Sequence, residues 1–190
     1  MTITDVEICS VALVKLGAKE LSSFDDETVE ADVARRLYEV TLRGLIASHP
    51  WHFSMAEAEL ETVDEAPIAG FSNVFALPPD LLRIISAGAG GRARGLDYRL
   101  TGGRLHASSS RAFLRYQHRA ETVVFPAFFV QALTAKLAAE FCLPLTESTS
   151  RADALYKLAA AEHKVARLID SQQATPRAVE DFTLIAARSQ

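Results

Sequence analysis

The feature that most constrains this chain is a change of hydrophobic period at Pro50. Up to Ser48 the apolar residues recur at helical spacing, and beyond Phe53 they alternate in short runs broken by Gly and Pro. Proline enforces the break, because the residue before it avoids helical backbone angles and its own nitrogen carries no hydrogen. The junction reads His49-Pro50-Trp51-His52-Phe53 and holds the single tryptophan between two histidines. Helical period returns after Pro126. A chain patterned in this way is expected to be a helical body interrupted by a β insertion.

On the N-terminal side, Thr4 and Glu7 form a capping box. Val6, Cys9, Leu13 and Leu16 then follow at helical spacing, and Gly17 sits where a left-handed cap ends a helix. Asp25, Asp26, Glu27 and Glu30 load negative charge at the start of a second helix, which its dipole favours. Val29, Val33, Leu37, Val40 and Gly44 mark one face of that helix. Tyr38, Leu42, Leu45 and Ile46 widen the face, so the helix is expected to pack on more than one side. It should run for roughly 22 residues, or about 33 Å.

Between Trp51 and Arg119 the stretch from Asn73 to Gly91 reads as strand, turn, strand and glycine loop. Gly102-Gly103 marks a hairpin, and Phe113 to Ala120 alternates. One small antiparallel sheet is expected. The apolar residues from Phe128 to Phe141 then cover most of a central third helix, which Leu143-Pro144 should stop. Thr146 or Ser148 caps a fourth helix carrying Leu155, Leu158, Ala159, Val165 and Leu168, with Lys157, Glu162, Lys164 and Arg167 facing water. The fold class that follows is mainly α: a bundle of about four helices from residues 1–50 and 122–170, an inserted antiparallel β subdomain at 51–121, and a C-terminal tail at 171–190.

The 190 residues carry a net charge of −4, but unevenly. Residues 1–66 hold fourteen acids against five bases, a net of −9. Between Arg83 and Arg119 lie eight arginines and a single acid, Asp97, a net of +7. Segregation of this kind suits a surface that meets an oppositely charged one. Arg83, Arg99, Arg115 and Arg119 are the candidates for such an inter-subunit surface. Cys9 and Cys142 sit within apolar helical patterns and read as buried free thiols of a cytosolic protein. No leader peptide and no membrane span is expected.

Chemistry is sought and mostly not found. His49 and His52 are split by Pro50, and His106, His118 and His163 are scattered, so no paired-ligand metal spacing exists. The glycines match neither dinucleotide nor P-loop patterns, and no nucleophile elbow occurs. No catalytic residue, cofactor or metal is expected. The arginines interleaved with Tyr98, Phe113 and Tyr116 suit phosphate contact and base stacking. Against this stands a sequence pI near 5.7, since dedicated nucleic-acid binders are usually basic overall.

In this order, the landmarks resemble the tail tubular protein A, or head-to-tail adaptor, family of short-tailed bacteriophages. They are Leu16-Gly17-Ala18, the His49-to-Phe53 junction, Phe75-Ala76-Leu77-Pro78-Pro79-Asp80 with Leu82-Arg83, and Leu114-Arg115-Tyr116 ahead of Arg119. Phe125-Pro126-Ala127-Phe128, Ala132-Leu133 and Leu143-Pro144-Leu145-Thr146 complete the set, which spans Val6 to Thr146. The resemblance implies a homo-oligomeric ring at the virion head–tail junction, a dodecamer in that family, made in the host bacterial cytoplasm. It further implies docking to the portal protein, receipt of the tail nozzle protein, and passage of DNA through the centre without sequence recognition. On this reading Trp51 and Phe53 anchor the helix end, and the histidines beside them are bystanders. The stripe Val179, Phe182 and Ile185 is expected to dock the tail on the portal. A DNA-binding module using the arginine-rich sheet and a virion-carried hydrolase are the alternatives.

Overall fold

The computed structural model describes residues 3–90 and 93–174. Four helices are present: α1 (Asp5–Lys15), α2 (Val29–Ser48), α3 (Ala127–Thr146) and α4 (Thr149–Ser171). Between α2 and α3 lie seven strands. They are β1 (Met55–Glu59), β2 (Thr62–Val63), β3 (Asn73–Ala76), β4 (Leu81–Gly88), β5 (Tyr98–Thr101), β6 (Arg104–Ala107) and β7 (Phe113–His118). They form two antiparallel sheets, ordered β1-β7-β4 and β2-β3-β6-β5. The expectation of a mainly helical protein with one small sheet is therefore corrected. Helix accounts for 48% and strand for 19%, which makes this an α+β fold.

The reason lies partly in the stretch Met55 to Val63. Its Ala- and Glu-rich composition favours helix, yet it forms two strands because β7 and β3 offer pairing partners. The chain crosses from one sheet to the other at Leu60, whose N–H donates to the Ala112 carbonyl at 2.8 Å. The two sheets share an apolar core of their own, with Phe75 and Leu105 from one meeting Ala87 and Leu114 from the other. Gly102 and Gly103, both at positive φ, turn the β5–β6 hairpin.

In the helical body α3 is central, and α1, α2 and α4 all pack on it. By length and hydropathy α3 resembles a membrane-crossing helix, but 56% of that stretch is buried within the fold. It passes through Pro144 and ends at Thr146, where Glu147 takes a left-handed conformation and donates its N–H to the Leu143 carbonyl. Pro144 therefore does not stop it. Thr4 and Glu7 cap α1 reciprocally, and Arg151 closes its other end by donating to the Leu16 carbonyl at 2.8 Å.

Two expected faces are also corrected. On α2 the expected Tyr38, Leu42, Leu45 and Ile46 are buried, joined by Ala31 and Ala34, and Val33 and Leu37 are half-buried on the same core, whereas Val29, Val40 and Gly44 are exposed. On α4 the residues turned inward are small, Ala152, Ala159 and Ala166, and Ala159 packs on Ala135 and Ala139 of α3. Alanines at that seam let the helix axes approach closely. The bulky Leu158, Val165 and Leu168 consequently face outward. Because α4 continues through Ser171, the helical body extends one residue into the expected tail. Val179, Phe182 and Ile185 lie outside the described residues.

Candidate functional site

The junction after α2 is where the chemistry-bearing side chains gather. A helix leaves its last four carbonyls without partners in its own ladder, and Pro50 removes one more donor. The Leu45 carbonyl accepts from Trp51 Nε1 at 3.0 Å and from Ser48 Oγ at 2.7 Å. Ile46 accepts from Gln117 Nε2 at 2.9 Å, and Ala47 from the Arg83 guanidinium at 3.0 Å. His49 accepts from Gln117 Nε2 at 2.6 Å and from its near neighbour, the Trp51 N–H. Strands β4 and β7 thus cap a helix that its own sequence cannot cap.

Trp51 is fully buried. Phe129 meets it edge-on at 5.1 Å, Phe128 stacks at 6.4 Å and Phe53 lies at 6.2 Å between ring centroids. Phe53 continues the cluster to Phe125 and Phe129. These contacts clamp the entry of α3 against the exit of α2.

The histidines are not bystanders, which corrects the expectation. Asp170, near the end of α4, is completely buried. One of its oxygens receives the His52 backbone N–H at 3.2 Å, and the other receives His52 Nδ1 at 3.0 Å. His49 Nε2 approaches that second oxygen at 3.4 Å. A carboxylate at a helix C-terminus opposes the dipole, and these donors offset that cost. Burial holds the His49 imidazole below its usual pKa, despite Asp170, with Arg167 adding to the depression. His163, also lowered by burial, shares a 3.2 Å contact with Ser48 Oγ and lies 5.7 Å from the Trp51 ring.

Serine, histidine and aspartate therefore meet here, but not as a catalytic relay. Asp170 orients His49 and His52, while the histidine beside Ser48 is His163, and the Ser48 hydroxyl is engaged by the Leu45 carbonyl. Nucleophile, base and orienting acid belong to separate hydrogen-bonded sets, whereas a relay requires them in series. Among the described residues no group of three or more His, Cys, Asp or Glu side chains is arranged to hold a metal. A hollow of about 130 Å³ lies elsewhere, beside Glu57, Glu59 and Phe113.

Four arginines of the arginine-rich segment are paired with acids of the chain. Arg111 pairs with Glu59 at 2.6 Å, Arg104 with Glu65 at 2.8 Å, and Arg115 with its cross-strand partner Glu57 at 3.7 Å. Arg119 reaches Glu39 on α2 at 3.2 Å and Asp5 on α1 at 3.7 Å. Arg83 caps α2, as described. Of the four arginines expected to form an inter-subunit surface, Arg99 alone lacks an ion pair or side-chain hydrogen bond among the described residues. Three of these pairings lie within the β part, and of these arginines Arg119 alone pairs with acids of the helical body.

Two helices also carry uncovered apolar surface. Leu158, Val165 and Leu168 are 45%, 52% and 60% exposed, and Val40 of α2 is 71% exposed. Ala154 and Ala161 continue the α4 stripe and are exposed as well. No protein-family model and no curated protein matches the chain.

Asp170, Gln117 and His163 were not singled out from sequence. Asp170 had one available signal, an acid in the last turn of a helix where a base is favoured. Gln117 had a weaker one, an amide in an alternating strand.

Proposed function

We propose that this chain is a structural subunit of a bacteriophage head–tail junction. It acts as an adaptor that forms a homo-oligomeric ring between portal and tail nozzle, with DNA passing through the centre. The observation that carries this reading is the second apolar face of α4. A helix that is apolar on two sides and covered on one has a surface that water disfavours. Burial against another chain relieves that cost, and Val40 and Gly44 of α2 add another uncovered apolar patch.

Two further observations support an assembly role over an enzymatic or nucleic-acid-binding one. The residues able to do acid–base chemistry are engaged in holding α2, α4 and β7 together. Four of the arginines that suggested phosphate binding, Arg104, Arg111, Arg115 and Arg119, are paired with acids of the same chain, which reduces the positive charge free for DNA retention. The ordered landmarks from Val6 to Thr146 supply the identity of the assembly, and the ring's dodecameric count rests on that likeness alone.

The test is genetic and microscopic. Particles made without this protein should be DNA-packaged heads that bear a portal and no tail. Complete tailed particles formed in its absence would overturn the proposal.

A further inference from the structure

Resting on the reading that copies of this chain assemble, we propose that the uncovered face of α4 packs antiparallel on the uncovered face of α2 in the next copy. The two faces match in length and spacing. On α4 the stripe is Ala154, Leu158, Ala161, Val165 and Leu168, all exposed. On α2 it is Val33, Leu37, Val40, Gly44 and Ala47, of which Val40 and Gly44 are exposed, while Val33 and Leu37 are half-buried with one side on their own subunit's core. Both step by four, three, four and three residues, the spacing of a helix–helix seam. Each spans about 21 Å at 1.5 Å per residue.

In the antiparallel alignment Gly44 receives a leucine. Val40 meets Ala161, and Leu158 meets Gly44. That gives Gly44 a purpose its own subunit does not supply. A glycine inside a helix is less stable than alanine there, and a Cβ built at Gly44 meets nothing within 4 Å. A neighbouring leucine seated on the bare backbone uses that space.

Charge selects the antiparallel orientation. The start of α2 carries Glu27 and Glu30, and the second half of α4 carries Lys164 and Arg167. Among the described residues none of the four forms an ion pair. Running the helices antiparallel brings these ends together, whereas a parallel arrangement separates them. Because the two faces differ, the contact is heterologous, the kind that propagates from copy to copy and closes into rings.

Val40→Cys chains mixed with Ala161→Cys chains and mildly oxidised test the seam, since Cys9 and Cys142 are both buried. Ala47→Cys chains test its direction: they should bridge to Ala154→Cys chains, and bridging instead to Leu168→Cys chains would overturn the antiparallel alignment. The mixed disulfide should exceed its random share, with both like disulfides suppressed. Gly44→Leu placed in the Val40→Cys chain should raise the Tm and abolish the mixed disulfide. Like disulfides predominating, no disulfide at assembling concentrations, or crosslinking indifferent to Gly44→Leu would each overturn the seam. So would Ala161→Cys bridging to Phe182→Cys in its own chain, which would give the α4 face to the tail. Rings seen on the portal without the mixed disulfide contradict the seam and leave the adaptor role standing. A mixed disulfide in a protein that ignores the portal supports the seam and removes the adaptor role.

Discussion

Gln117→Leu tests whether the β part caps the helical body. Gln117 is fully buried, and its amide nitrogen faces three oxygens: the Ile46 and His49 carbonyls and Ser54 Oγ. Three acceptors on one side fix the amide orientation, because the reverse would set oxygen against oxygen. Leucine nearly preserves the volume and removes the donor. The His49 carbonyl keeps its bond from the Trp51 N–H, so Ile46 is the carbonyl left alone. One buried unsatisfied acceptor costs about 1–3 kcal/mol, and because the variant also removes Gln117 Oε1, which is buried without a partner, the net loss falls toward the lower end of that range. For a chain of this size that lowers the Tm by roughly 2–4 °C per kcal/mol. Gln117→Glu should be worse, since a buried uncompensated carboxylate costs about 3–5 kcal/mol. Its folded pKa would lie above the unfolded value, so the loss should shrink as pH falls and deepen as pH rises through the folded pKa. Urea unfolding followed by the fluorescence of Trp51, which lies beside the cap, measures both variants. A Gln117→Leu protein as stable as the wild type, or a Gln117→Glu protein without that pH dependence, would refute the capping argument.

Trp51→Ala should cost about 3–5 kcal/mol in the same assay, the range for losing a large buried aromatic. His49 and His163 both lie below their ordinary value of 6.5 through burial, so the stability they confer is present above that pH and is lost as pH falls through their folded values. His163→Gln should flatten the decline of Tm below pH 6.5, and an unchanged slope would show that His163 does not contribute. Arg119→Glu should lower the Tm because it sets a third acid beside Glu39 and Asp5, whereas Arg99→Glu should leave the Tm unchanged. Thermal melts of the two variants at low salt separate an internal tie from a free surface charge.

Much of the helical framework was legible because capping and punctuation act locally. Thr4 with Glu7, Gly17, Pro50 and the Gly102-Gly103 turn each commit their own few residues. The sheets were less legible, since Met55 to Val63 becomes strand through partners 54 to 62 residues away for β1 and 11 to 13 for β2. The side of α4 that faces the core, and the exposure of Val29, Val40 and Gly44 on α2, differ from the expectation for a similar reason. Period identifies an apolar stripe, but α4 has two stripes, and the alanines of α3 select the small one. The roles of Asp170 and Gln117 depend on residues 118 and 71 positions away, at His52 and Ile46, and no local pattern announces them.

The adaptor role is tested most directly by native mass spectrometry of the full chain mixed with an assembled portal ring from the same phage. A discrete complex with many copies of this chain per portal ring is expected. A chain ending at residue 174 should keep its Tm and fail to form that complex. A full-length chain that stays monomeric beside the portal at micromolar concentrations would contradict the role.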